Sequence, residues 1–308
     1  MRLAVLPGGM TDLTAGPFFI SRRRLPPNEG RDMNEDALQQ IIWNIEHIGT
    51  PHNVSLKLLE KSSSEIDIDE MTALISQDAT VSALVLKTAN SVHFSRGQRI
   101  KTIKNAIVHL GIENIKKLLF AVEMIGVFKG RCAAENFSEI DFWKHTLAGA
   151  ILASKYTGFR KSCDPDVAYT AALLRDIGML AVRQFAPEEF EKMILHQKKE
   201  TSSFKSLAET FLGVSYREIS YMVGLSWNLP RSIIESIKDR ATTCEMNSEI
   251  RAIREGILFA DELLHVTKYC IWDLYYLPSN FDFHDIPCDE MHEEASETVD
   301  KIIQEFWM

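Results

Sequence analysis

The sequence is poor in cysteine and lacks the long apolar runs and glycine-rich loops that mark several common protein classes. Its five cysteines are an odd number with no C-x-x-C pair, which argues against a disulfide framework or zinc ribbon and fits a reducing cytoplasm. The longest apolar candidate, Leu118 to Phe128, is interrupted by Glu123 and falls well short of the roughly 18 residues that a membrane span needs. We therefore expect a cytoplasmic protein that does not cross a membrane.

Phosphate-binding loops and sustained strand patterns are also missing. We find no G-x-G-x-x-G, no G-x-x-x-x-G-K-[ST], no repeat of fixed period and no apolar–polar alternation sustained over several segments. The sequence therefore favours neither an α/β nucleotide-binding sheet nor a solenoid.

Negative charge is concentrated at one end of the chain. Of the net charge of −9, most comes from residues 281–308, which hold nine acidic residues and one lysine. The remaining chain is close to neutral and is poorly suited to non-specific binding of nucleic acid phosphates. We interpret the acidic end as a solvated helix face, with a contact to a basic partner as the alternative.

Helical patterns follow a short leader. Residues 1–33 are rich in Gly, Pro and Arg, which predicts an extended or mobile segment. From Asn34 onward nearly every segment has helical periodicity, and N-cap signals stand at Asp67, at Asp164 before Pro165, and at Ser215. The cap at Asp164 opens the helix that is predicted to carry Arg175-Asp176. We predict an all-α, irregular multi-helix bundle.

A set of short motifs then occurs in a characteristic order. The most informative is Leu173-Leu174-Arg175-Asp176-Ile177-Gly178, preceded by Trp143-Lys144-His145. The other segments are Ile75 to Ala79, Leu86 to Ser91, Ile103 to Ile107, Leu110-Gly111, Val223-Gly224 and Trp227 to Pro230. Over roughly residues 35–240 this pattern resembles the HDOD domain, a relative of the HD and HD-GYP phosphodiesterases.

The resemblance implies a domain organisation and a role. It predicts an HDOD domain over residues 34–240 and a C-terminal helical extension with an acidic end over residues 241–308. That extension would pack on the domain, or alternatively form a dimer or partner interface. The resemblance also implies a part in bacterial signal transduction, in which such domains bind protein partners or, occasionally, nucleotides.

Departures from the enzyme pattern bear on catalysis. Arg175 stands where HD enzymes place a metal-ligating His, and a guanidinium has no lone pair to donate to a metal ion. Tyr216 and the pair Asp239-Arg240 also stand where relatives often carry His. The ligand types left in register are His145, Asp176 and Asp261, a vestigial set that would hold only weak Mg²⁺ or Mn²⁺. We predict no catalytic residue and expect no cofactor.

Other residues are candidates for ligand or partner binding: Arg175, Asn90, Ser91, Asp239 and Arg240. Arg175 could pair with Asp176, or could present its guanidinium to a phosphate. Asn90 and Ser91 are typical of a helix C-terminus closed by side-chain to backbone hydrogen bonds. His145 and Asp176 have equally ordinary interpretations as buried hydrogen-bonding and ion-pairing residues.

The sequence leaves three functions open. The favoured one is a non-catalytic regulatory module that binds a protein partner or a small ligand. The second is a residual metal-dependent phosphohydrolase acting on a nucleotide, which requires His145, Asp176 and Asp261 to converge and Arg175 to point elsewhere. The third is a nucleic-acid-binding regulator, suggested by the helix–Gly–helix outline around Gly111 and its nearby lysines, and it is the least favoured.

Overall fold

The computed structural model describes residues 34–45, 47–91, 94, 99–128, 136–199, 202–238, 247–267, 269 and 281–306, all within one compact unit. The predicted leader, residues 1–33, lies outside the described residues. Fifteen helices and no strand occur in the described ranges, which confirms the all-α fold class. They are α1 (Glu35–Ile45), α2 (Asn53–Leu59), α3 (Ile68–Ser76), α4 (Ala79–Ala89), α5 (Ile103–Leu110), α6 (Ile112–Phe128), α7 (Glu139–Arg160), α8 (Pro165–Leu174), α9 (Ile177–Phe185), α10 (Pro187–Lys199), α11 (Phe204–Leu212), α12 (Tyr216–Ser226), α13 (Arg231–Ile237), α14 (Ser248–Val266) and α15 (Cys288–Phe306).

The predicted helix boundaries have the expected local chemistry. The side chains of Asp67, Asp164 and Ser215 accept hydrogen bonds from backbone N–H groups in the first turns of α3, α8 and α12. Gly111 ends α5 with a φ of 85°, a conformation in which glycine carries no Cβ penalty. Each of these caps satisfies backbone groups that the end of a helix otherwise leaves without partners.

Two apolar cores meet at α6. Ile115 and Leu119 pack into a smaller core with residues of α2, α3, α4 and α5. Phe120 and Met124 of the same helix instead pack into the main core, which extends across α1 and α7–α15. Because α6 presents apolar side chains on both faces, it joins the two cores.

The long helix α7 lies at the centre of the main core and contacts α8, α14 and α15. Helix α15 buries Met291, Ala295 and Val299, which recur every four residues on one face. Its acidic side chains are only partly directed to solvent, since Glu294 forms an ion pair with Lys155 of α7. In the part of the chain that the structure describes, no helix has both the length and the apolarity to traverse a lipid bilayer.

Candidate functional site

The Arg175-Asp176 pair lies in a break between two helices. The sequence pattern predicts one helix through this pair, but α8 ends at Leu174 and α9 begins at Ile177. The hydroxyl of Ser220 accepts from the Gly178 N–H at 2.8 Å and donates to the Arg175 carbonyl at 2.8 Å. The prediction of a continuous helix is therefore wrong, because a side chain of α12 is inserted where backbone groups would otherwise bond each other.

Gly178 permits this close approach of α12. A Cβ at position 178 would lie 1.9 Å from the Tyr216 carbonyl oxygen and 2.8 Å from the Ser220 nitrogen. Both are backbone atoms, so no rotation of a side chain could relieve the overlap. The glycine of the motif thus keeps α12 against the helix break and positions Arg175.

Arg175 is 1% exposed and its guanidinium is surrounded by the three side chains that sequence reasoning assigned to a metal. Its Nε and Nη2 donate to Oδ2 of Asp176 at 3.1 and 2.8 Å. Its Nη1 donates to Oδ1 of Asp261, which α14 contributes from 86 residues further along the chain. Its Nη2 lies 3.4 Å from Nε2 of His145, on α7. His145, Asp176 and Asp261 therefore do converge, and they converge on Arg175.

A second guanidinium lies beside this cluster. Nη2 of Arg217, on α12, is 3.7 Å from Oδ2 of Asp261. The two arginines thus face two carboxylates, Asp176 and Asp261, and the four charges balance when both carboxyls are ionised. We call Arg175, Asp176, Asp261, His145 and Arg217 the Arg175 cluster.

Burial and the two arginines shift the pKa values of the cluster. Burial raises the pKa of Asp176, but the charges of Arg175 and Arg217 outweigh it and leave that pKa below its ordinary value. For Asp261, burial outweighs the same two arginines, so its pKa lies above the ordinary value. Burial and the Arg175 charge lower the pKa of His145 from 6.5 to about 4. The imidazole is therefore neutral at neutral pH.

The donors of the Arg175 cluster do not fit a metal ion. The guanidinium lies within hydrogen-bonding distance of all three would-be ligands, and a divalent cation among them would face a fixed positive charge at close range. In the described ranges, no group of three or more His, Cys, Asp or Glu side chains is placed to hold a metal. Arg175 already supplies the positive charge that the two buried carboxylates require.

The other candidates do not join the cluster. Asn90 ends α4, donates to the Leu86 and Ile100 carbonyls at 2.8 and 2.7 Å, and accepts from the Ile100 N–H at 2.8 Å. Ser91 is buried next to it. The contacts of Asn90 agree with the helix-closing interpretation, and the ligand role of Asn90 and Ser91 stays a prediction. Asp239 and Arg240 lie outside the described residues.

The lysines near the helix–Gly–helix segment are largely engaged within the protein. Lys116 is buried and donates to Asp166 Oδ2 at 2.8 Å, and Lys104 donates to Asp69 at 2.6 Å. Lys117 donates to Ser154 at 2.9 Å. Lys116 and Lys117 are thus buried or half-buried, whereas Lys104 is exposed, and the nucleic-acid hypothesis stays a prediction.

Sequence reasoning missed Arg217 and Ser220. Both belong to a segment whose capping signal explains its residues as an ordinary helix start. One clue was present, because Tyr216 occupies a position where relatives often carry His, which places its neighbours near the site. Nothing in the pattern indicates that Ser220 bonds to the backbone of residue 175.

Comparison with known proteins identifies the domain family of the chain. A profile of the HDOD domain matches residues 48–242, more than half of the chain. An uncharacterised protein of Treponema pallidum is 23% identical over 201 residues, which is 64% of this chain and 38% of that protein. The chain thus spans well under half of the length of this relative.

Solved structures show the same architecture. An HDOD domain protein of unknown function from Geobacter sulfurreducens is 20% identical with a TM-score of 0.68, covering 89% of this chain and 99% of that one. A Marinobacter aquaeolei protein described as a signal transduction protein is 14% identical with a TM-score of 0.70, covering 87% and 64%. A Shewanella amazonensis protein described as a phosphohydrolase is 16% identical with a TM-score of 0.58, covering 87% and 98%. At these identities the likeness establishes the fold alone.

Proposed function

The chain belongs to the HDOD domain family, and we propose that this member is a non-catalytic signal-transduction module of the bacterial cytoplasm. It would act by binding a protein partner or a small ligand on a scaffold whose metal site has been replaced. The observation that carries the proposal is the position of Arg175, whose guanidinium lies between Asp176 and Asp261 and beside His145. The description of the Marinobacter aquaeolei protein, which shares the fold, is consistent with such a role.

The physical argument concerns charge. Two buried carboxylates are costly unless a positive charge compensates them. In a metal-dependent relative that charge would come from the metal ion, whereas here Arg175 supplies it as a covalent part of the chain. A guanidinium does not coordinate an oxygen lone pair, so it cannot lower the pKa of a bound water molecule to near neutrality as a metal ion does, and it cannot replace the chemistry of the metal.

The residual phosphohydrolase is the competing candidate. Its support is that His145, Asp176 and Asp261 do converge, as that hypothesis requires. Its second requirement, that Arg175 points elsewhere, is not met in this structure. We therefore favour the regulatory role.

The metal content of the purified protein tests the proposal. We expect elemental analysis to find Mn, Fe and Zn far below one equivalent, with no change in the Asp176→Ala variant. Asp69→Ala, which removes an exposed carboxylate, is the matched control. Near-stoichiometric metal that is lost in Asp176→Ala and kept in Asp69→Ala would instead support a hydrolase.

Activity provides a second measurement. With added Mn²⁺, we expect the wild-type protein to hydrolyse bis(4-nitrophenyl) phosphate no faster than Asp176→Ala does. A metal-dependent rate that Asp176→Ala abolishes, in a variant whose circular dichroism is unchanged, would contradict the non-catalytic role.

A further inference from the structure

A pocket of about 550 Å³ lies away from the Arg175 cluster, between α6, α7, α8 and α15. Its size falls within the range of roughly 300–1,000 Å³ that is typical of small-molecule sites. It shares no lining residue with the cluster, although α7 contributes to both. A ligand of this pocket would therefore not contact the residues of the Arg175 cluster.

Charged side chains line one part of the pocket, with one more lysine than glutamate. Lys117, Lys155 and Lys301 line it, together with Glu113 and Glu294. Burial lowers the pKa of Lys155, and the nearby charge of Lys117 lowers it further. Two ammonium groups that repel each other across one pocket would both gain from an anion bound between them.

The carboxylates in the lining are weak competitors for such an anion. Glu113 pairs with Lys117 and Glu294 with Lys155, but the two glutamate side chains are 56% and 52% exposed. The lysine side chains of these pairs are only 19% and 31% exposed, so the carboxylate ends are the ones that can turn into solvent, and a bound anion could replace them. Lys117 is held more firmly, since its Nζ donates to the buried Ser154 hydroxyl at 2.9 Å.

Apolar side chains and one aromatic ring also line the pocket, beside the polar side chains of Asn114, Ser154 and Thr298. Leu118, Ile151 and Ile302 contribute aliphatic surface. The ring of Tyr169 has its centroid 5.6 Å from Lys117 Nζ, and its hydroxyl donates to the Lys117 carbonyl at 3.2 Å. An apolar surface beside a paired cationic end suits a ligand with a flat organic part and one compact anionic group.

We propose that this pocket binds a small aromatic phosphate monoester, with its phosphate between Lys117 and Lys155 and its flat group against the apolar lining. A phosphate dianion matches two ammonium groups better than a single carboxylate does, and lysine contacts it as a point charge. The inference goes beyond the proposed function, because it does not depend on whether the Arg175 cluster holds a metal.

Such a ligand would connect two parts of the chain. Lys117, Ser154 and Lys155 belong to the segment that matches the HDOD family, whereas Thr298 and Lys301 belong to α15, which follows that segment. Binding would therefore favour the docked position of α15 on α7. This gives a physical route by which a small molecule could change the surface that the protein presents.

Calorimetric titration of the full chain with naphthyl phosphate tests the proposal. We expect saturable binding to the wild type, and weakening by more than about tenfold in Lys117→Gln/Lys155→Gln. Naphthol and inorganic phosphate, titrated separately, should each bind more weakly than the ester. The matched control is Lys144→Gln, which removes another α7 lysine that faces α15, near Asp300, but does not line the pocket; it should stay within about twofold of wild type.

A second variant distinguishes a loss of binding from misfolding of Lys117→Gln/Lys155→Gln. Thr298→Trp places a bulky ring at the pocket wall without changing any charge, on a partly exposed side chain of α15. We expect it to weaken binding by a similar factor while circular dichroism stays unchanged. The proposal is overturned if the wild type does not bind at millimolar ester, if both variants bind as the wild type does, or if inorganic phosphate alone binds as tightly.

Discussion

Nη2 of Arg175 lies 3.4 Å from Nε2 of His145, so the imidazole faces a guanidinium rather than the metal ion that a histidine ligand would contact. The same nitrogen of Arg175 donates to Asp176 Oδ2 at 2.8 Å. The buried guanidinium thereby contacts both His145 and Asp176, two of the three residues that could otherwise ligate a metal. A covalently attached cation therefore lies among these side chains.

Removal of this cation should destabilise the protein strongly. Arg175→Met leaves Asp176 and Asp261 buried without their main positive partner, and we expect a loss of about 3–5 kcal/mol in the free energy of unfolding. Chemical denaturation would measure it. In the double variant Arg175→Met/Asp261→Asn, at least about 1 kcal/mol should return, because one uncompensated charge is gone. Strict additivity of the two single changes would contradict the coupling.

Placing histidine at position 175 should create a metal site. Arg175→His removes the guanidinium and adds an imidazole to His145, Asp176 and Asp261, which together would be a set of nitrogen and oxygen donors. We expect Mn²⁺ or Zn²⁺ binding by Arg175→His that exceeds binding by the wild type at least about tenfold, measured by titration calorimetry. Arg175→Gln, which also removes the charge but adds no imidazole, is the control. Equal binding by the two variants would show that His145, Asp176 and Asp261 are not placed to ligate.

Much of the fold follows from local sequence signals, whereas the site does not. The caps at Asp67, Asp164 and Ser215 are short-range chemistry, so the sequence predicts them directly. The contacts of the Arg175 guanidinium are different, because the motif favours pairing with Asp176 but also allows presentation to a phosphate. The contact with Asp261 depends on how α14 packs, 86 residues further on.

The free energy of unfolding should depend on pH through the protonation of His145. Its pKa is about 4 in the folded protein and near 6.5 when unfolded, so between these values the unfolded state binds the additional proton. The contribution of His145 to stability should therefore be complete above pH ~6.5 and fall as the pH drops, by about 3 kcal/mol in total at pH ~4. Denaturation of wild type and His145→Gln across this range tests the prediction. Unfolding of the variant should take up about one proton fewer, so its free energy of unfolding should depend less steeply on pH. Parallel profiles would show that His145 titrates normally.

A second buried ion pair should be as sensitive as the Arg175 cluster. Lys116 is 4% exposed and donates to Asp166 at 2.8 Å and to the Lys61 carbonyl at 2.6 Å, which joins α6 to α8 and to the loop after α2. We expect Lys116→Met to cost about 3–5 kcal/mol, since Asp166 is left partly buried without its cation. Lys104→Met, in the exposed pair with Asp69, should cost less than about 1 kcal/mol. Similar losses in the two variants would mean that burial does not determine the effect.

Two glycines in helices should respond to the same substitution with opposite signs. In Gly178→Ala the added Cβ would lie 1.9 Å from the Tyr216 carbonyl oxygen, so α12 must move away and the Ser220 bonds to Gly178 and Arg175 must lengthen. We expect a loss of about 1–3 kcal/mol or more from this overpacking. Gly126→Ala, in α6, meets no atom within 4 Å and should instead stabilise by about 0.5–1 kcal/mol, because alanine restricts the unfolded chain and favours helix. Thermal unfolding of the pair measures both, and a neutral Gly178→Ala would show that α12 does not need this close approach to hold Arg175 in place.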